Sequence, residues 1–169
     1  MAERKKALRG ATEPRLHSPY ITGKSLVSDI EKLIEMGNLD KLLPWQKHVL
    51  TDMLRVDKKG MFVRKTNLLL VARQNGKTHL ARVLILAHLI MWPSRNIIIM
   101  SSNRSMALDT FRQVAWALES SDALKGFVKQ IRHANGSESI DMLDGTRLEV
   151  VASTRDGSRG RTADFLYID

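Results

Sequence analysis

One stretch of this 169-residue sequence has the residue types and spacing to grip a phosphate group: Val71-Ala72-Arg73-Gln74-Asn75-Gly76-Lys77-Thr78. A glycine at position 76 lets the backbone come close to an anion, and the amides of a helix opening at Lys77 point towards it. Lys77 then puts a cation beside the β and γ phosphates of a nucleotide, and the Thr78 hydroxyl is an inner-sphere ligand for Mg²⁺. A Gly-Lys-Ser/Thr triplet alone arises by chance in roughly one of ten chains of this length. Its setting makes this one more specific, because it follows an apolar run, Asn67 to Ala72, and opens a helical pattern. The bland reading is an exposed helix start with incidental Lys and Thr. Val71 stands where the common form of the motif has glycine, and the loop carries Arg73 and Gln74 in place of further glycines.

Phosphate chemistry with Mg²⁺ needs an acid at the end of a neighbouring strand, to hold the metal's hydration shell. Phe165-Leu166-Tyr167-Ile168-Asp169 has that form, four apolar residues and then a carboxylate. The competing reading is an ordinary strand that ends in a solvated Asp. The five histidines (His17, His48, His79, His88 and His133) show no ligand spacing with acids, and His88 is expected to pack within its helix. Met91, Met100 and Met106 read as core filler.

The elements that must position these groups follow from periodicity. Leu26, Ile30, Leu33 and Ile34 have helical spacing between Ser25 as N-cap and Gly37 as stop, and a second helix starts at Pro44. Asn67–Ala72 is a continuous apolar run, the pattern of a strand buried on both faces. A helix is predicted from Lys77 to about Met91, a second buried strand over Asn96–Met100, and a helix from about Ser105 to Glu119. Strand–helix–strand–helix implies a parallel sheet with right-handed crossovers. The turn dipeptides Asn135-Gly136 and Asp144-Gly145 then separate short runs around Ile131, Ile140–Leu143 and Arg147–Ala152, which reads as an antiparallel hairpin insertion. Residues 1–22 read as a flexible basic arm, and 23–169 as one domain.

Composition narrows the class. The net charge of +9, from 27 Lys+Arg against 18 Asp+Glu, favours a polyanionic partner. With no cysteine, disulfides and Cys-ligated metal sites are excluded. The longest apolar run, Val83 to Trp92, falls well short of the ~20 residues of a spanning helix, so no membrane partner is expected.

Ala72-Arg-Gln-Asn-Gly-Lys-Thr78 resembles the variant Walker A motif of the large terminase subunit of tailed phages, in which Arg-Gln precedes one residue and Gly-Lys-Ser/Thr. Leu43-Pro-Trp-Gln46 resembles that family's upstream adenine motif, and Ser158-Arg-Gly-Arg161 followed by Phe165 to Asp169 resembles its approach to Walker B. The resemblance runs from about residue 40 to 169. It implies a RecA-like P-loop NTPase of the additional-strand, catalytic-glutamate class, with a mostly parallel sheet flanked by helices.

It further implies ATP and Mg²⁺ as ligands, held by Gln74, Asn75, Gly76, Lys77, Thr78 and His79. Gln46 would bond the adenine and Trp45 wall its pocket; Thr78 and Asp169 would serve the metal, and Arg73 would clamp the γ phosphate. Arg159 would be an arginine finger acting on a neighbouring subunit, with Arg155 and Arg161 competing for that role. The implied partners are double-stranded DNA, the portal protein and a small terminase subunit. The protein would form a ring at the procapsid portal vertex, in the host cytoplasm. A helicase-like translocase shares the upstream Gln motif and the Walker pair, and a basic nucleic-acid-binding module with an accidental Gly-Lys-Thr is the non-enzymatic reading.

The family places a water-activating glutamate after the Walker B Asp and a nuclease domain beyond it; the sequence ends at Asp169, so the chain is expected to be the ATPase part of a longer protein. Turnover of ATP by these 169 residues alone is accordingly expected to be very slow, and a phosphate-release assay showing fast hydrolysis would refute that expectation.

Overall fold

Asn96 to Ser101 form a strand, β1 (Asn96–Ser101), whose isoleucines 97, 98 and 99 are all buried. Such β-branched residues suit a strand covered on both sides. The computed structural model describes residues 11–92, 94–152 and 160–169. Before β1 come three helices, α1 (Val27–Gly37), α2 (Pro44–Met53) and α3 (Lys77–Ile90). After it come α4 (Arg104–Ser120), the single turn α5 (Asp122–Lys125), and strands β2 (Val128–Arg132), β3 (Ser139–Met142), β4 (Arg147–Ala152) and β5 (Phe165–Ile168). The chain divides into two compact units, residues 1–28 with 41–70, and residues 29–40 with 71–169.

In the first unit, Pro44 opens α2 without losing a needed donor. The Leu43 amide donates to Gln46 Oε1 at 2.7 Å, so the third helical residue caps the helix it belongs to. Leu50 and Leu54 are buried beneath it. Antiparallel bridges join Ser25 to Arg55 and Val56 to Phe62.

The second unit holds one five-stranded sheet in the order β2-β3-β4-β1-β5. β1 is parallel to both β4 and β5, whereas β2–β3 and β3–β4 are antiparallel. The protein is therefore α/β with a mixed sheet flanked by helices, and the expectation of a mostly parallel sheet is corrected. The two Gly turns fall where expected, but the hairpins they make extend the main sheet through β4, which serves both halves. α4 is capped by Asn103, whose side chain accepts from the Ser105 amide at 3.0 Å. Among the described residues, no helix is long and apolar enough to cross a membrane.

Two further expectations fail. Asn67–Ala72 is not a strand of the sheet: it has no ladder, and Leu68 and Leu70 are each 95% exposed. The exposure alternates, with Leu69 and Val71 half-buried, so the segment is extended but covered on one side only. An apolar run reports the potential for burial; a pairing partner has to supply the rest. Met106 is 45% exposed and fills no core.

His88 does pack inside, stacked on Phe165 of β5 with centroids 3.9 Å apart and edge-on to Trp92 at 4.9 Å. Its Nδ1 lies 2.7 Å from Ser94 Oγ. Burial lowers its pKa to about 4. The unfolded chain, with an ordinary value near 6.5, takes up this proton first, so stability is full above pH 6.5 and declines as pH falls towards 4. Urea unfolding is expected to show about 2 kcal/mol lost at pH 5 from this residue, and His88→Phe is expected to reduce the slope of stability against pH.

Candidate nucleotide-binding site

The turn between the extended segment and α3 bends through two left-handed residues, Gln74 at φ 62° and Gly76 at φ 82°. Gly76 adopts this shape without a Cβ penalty, whereas Gln74 does so at a cost on the order of 1 kcal/mol. Asn75 braces the bend: its Nδ2 donates to the carbonyls of Ala72 at 3.2 Å and Arg73 at 3.1 Å. Arg73, Gln74 and Asn75 are exposed, while Gly76, Lys77, Thr78 and His79 are half-buried.

Gly76 is the residue before α3, and the first amide bonded back along the helix is that of Leu80, to the Gly76 carbonyl at 3.2 Å. The amides of Lys77, Thr78 and His79 precede it and have no acceptor within the helix. With the helix dipole, they make this end of α3 favourable for an anion.

Lys77 is also where the loop meets the strand end. Its Nζ forms an ion pair with Asp169 Oδ1, 92 residues away in sequence. Asp169 continues the line of β5, its amide donating to the Met100 carbonyl at 3.0 Å. The Asp169 side chain is 10% exposed and that of Lys77 43%, so the carboxylate is the partner that most needs its charge matched. Tyr167, two residues earlier on the same face of β5, is hydrogen-bonded to Asp169; burial, then the charge of Asp169, push its pKa up to about 12. The hydroxyl thus stays protonated and donates to the carboxylate. Tyr167 had no motif to mark it, although its i, i+2 spacing from the strand-end acid put both on one face.

The remaining expected residues distribute differently. In α3's first turn, His79 accepts a hydrogen bond at Nδ1 from Arg82 Nη2 at 2.8 Å. Burial, then the positive charge of Arg82, lower its pKa, so it is a neutral residue at pH 7. Trp45 and Gln46 belong to the first unit, Trp45 half-buried and Gln46 1% exposed. Gln46 Oε1 is engaged in capping α2. Arg155 and Arg159 lie outside the described residues. Arg161 pairs within the chain with Glu149.

That pair is the end of a ladder across the sheet. Glu149 also binds Arg147 at 2.7 Å, Arg147 binds Asp141 at 2.8 Å, and Asp141 binds Arg132 at 2.8 Å. A cleft of about 210 Å³ opens beside it at the start of β1, lined by Asn96, Ile98, Arg147, Glu149, Arg161 and Thr162. Both of its arginines are already matched by carboxylates, so it offers an anion little. The concave shape lies here, but the chemistry of interest lies at the other end of β1. A second compensated acid, Glu138, is 5% exposed; burial works to raise its pKa, and Arg104 with the Gly136 amide at 3.2 Å hold it below its ordinary value. No family model matches the chain, and no curated protein is found to be similar to it.

Removing Lys77 leaves Asp169 shielded from water without its cation. Lys77→Ala is expected to cost about 1–3 kcal/mol, between the values for exposed and buried pairs, and adding Asp169→Asn is expected to recover much of the loss. Urea unfolding of both single variants and the double variant checks this; strictly additive losses would show that the pair contributes nothing.

Proposed function

We propose that this chain is a P-loop ATPase whose nucleotide site is built on Lys77, Thr78 and Asp169, of the kind found in the large terminase subunit of tailed phages. The observation that supports this most is the meeting of Lys77, from a loop with left-handed Gly76, with a carboxylate at the end of a parallel strand. Nothing in a chance Gly-Lys-Thr requires it to touch the acid that ends β5.

The donor set fits Mg-ATP. A threonine hydroxyl and a shielded carboxylate are hard oxygen ligands suited to Mg²⁺, and the first amides of α3 with Lys77 suit the β and γ phosphates. When bound, Mg²⁺ supplies neutralisation of the phosphate oxygens. Lys77 would exchange Asp169 for a phosphate as its partner, and Asp169 would be released towards the metal's shell. Tyr167 keeps that carboxylate oriented while it changes partner, and Arg73, exposed on the loop, is available to the γ phosphate. In this reading the domain is RecA-like, Gln46 and Trp45 serve the adenine, and a loop arginine, Arg159, acts in trans. The energy of hydrolysis moves double-stranded DNA into a procapsid in the host cytoplasm. The portal protein, a small terminase subunit and further copies in a ring are the partners.

Calorimetry should show Mg-ATP binding to the chain, weakened about 10- to 100-fold by Lys77→Ala, as expected for one lost charge-assisted contact. Asp169→Asn should still bind ATP but lose the advantage that Mg²⁺ gives the parent. A folded parent that binds no nucleotide, with or without Mg²⁺, would sink the reading.

A further inference from the structure

The net positive charge of this protein lies in one of its two units. Residues 1–28 and 41–70 carry 13 Lys+Arg and 4 Asp+Glu, a net +9, while residues 29–40 and 71–169 carry 14 of each and are neutral. The whole excess of the chain therefore lies outside the unit that holds Lys77 and Asp169.

Its arrangement is built by tertiary contacts. Lys24, Arg55 and Phe62 lie on three adjacent segments: the Val56 amide donates to the Lys24 carbonyl at 3.0 Å, the Val63 amide to the Arg55 carbonyl at 2.9 Å, and Val56 is bridged to Phe62. The middle and last segments are joined by a tight turn, Asp57-Lys58-Lys59-Gly60-Met61. Asp57 fixes it, its Oδ1 accepting from the amides of Lys59 at 2.8 Å and Met61 at 2.9 Å, and Gly60 takes the left-handed shape at φ 79°. Lys58 and Lys59 are thus held at the tip of an ordered turn and exposed there, as are Lys24 and Lys65. Two of the unit's four acids are engaged elsewhere. Asp57 serves the turn, and Asp52 holds Arg64 at 2.7 Å and the Ile21 amide at 3.0 Å.

We infer that this unit, through the Lys58-Lys59 turn and the exposed lysines around it, is the surface that grips the phosphate backbone of duplex DNA, without reading its sequence. The choice of DNA rests on the reading of the chain as a DNA-translocating ATPase; the location and the charge do not. Basic groups spread over separate segments on a folded surface suit a repeating polyanion. An anionic bilayer would favour a basic amphipathic helix, and α1 and α2 contain one lysine each, Lys32 and Lys47, and no arginine.

The test measures binding of the whole chain to a fluorescent 30-bp duplex of mixed sequence, across a salt series. Lys58→Ala/Lys59→Ala should weaken binding at 0.1 M salt by about tenfold or more and flatten the log–log salt slope by about 2. Lys125→Ala/Lys129→Ala, in the neutral unit, should change neither, and circular dichroism checks that both variants fold. Equal affinity and slope for parent and Lys58/Lys59 variant would overturn the inference. So would a parent that binds vesicles with a quarter anionic lipid more tightly than DNA. Calorimetry with Mg-ATP separates the two readings. Nucleotide binding without DNA binding removes this inference alone, and Lys58/Lys59-dependent DNA binding without nucleotide binding removes the ATPase reading alone.

Discussion

Parallel pairing on both sides of β1 governs the second unit. A strand can lie parallel to its neighbour only if the chain returns to the same end of the sheet before starting it, so β1, β4 and β5 all finish at one edge. That edge is where open α/β sheets carry their chemistry, since loops and helix starts converge there. Asp169 is delivered to it as the residue after β5, and Lys77 reaches it from the start of α3. The isoleucines of β1 and the stack of His88 on Phe165 fix these elements in depth. A substitution that loosened β1 would thus separate two groups that are distant from it in sequence.

The site is in effect balanced against itself. Lys77 and Asp169 satisfy each other's charge, Tyr167 adds a neutral donor to the carboxylate, and Asn75 ties down the loop from within. Such a pair costs little to keep in place and less to open than an isolated buried charge would, because each partner has an alternative once an anion and a cation are supplied together. Supplying only one of them would leave the other protein group uncompensated, so under the proposed function metal and nucleotide would bind as a unit.

Much of this was legible from residue order. Gly-Lys-Thr after an apolar run and before a helical pattern located the start of α3, the Gly turns located β2, β3 and β4, and the final apolar run with its acid located β5. What was not legible depended on pairing partners. Asn67–Ala72 has the composition of a central strand yet leaves Leu68 and Leu70 in water. β4, read as part of an antiparallel insertion, is also a parallel partner of β1. Gln46 caps α2 with its side-chain oxygen, a local role that the resemblance does not imply. Tyr167, the Arg161–Glu149–Arg147–Asp141–Arg132 ladder and the partition of charge between units are products of three-dimensional neighbourhood, which no local pattern encodes.

The outermost strand has a colloidal consequence. Among the described residues β5 ends the sheet order, so one of its edges keeps backbone donors and acceptors without a ladder, and Leu166 and Ile168 of this strand are 46% and 64% exposed. Natural sheets blunt such edges with lysine, proline or a bulge, and Phe165-Leu-Tyr-Ile168 has none of these. Like-charge repulsion from the net charge of +9 opposes the meeting of two such edges, and salt screens it within about 10 Å at 0.1 M. The same ionic strength that would release a bound polyanion also brings apolar strand edges within reach of one another.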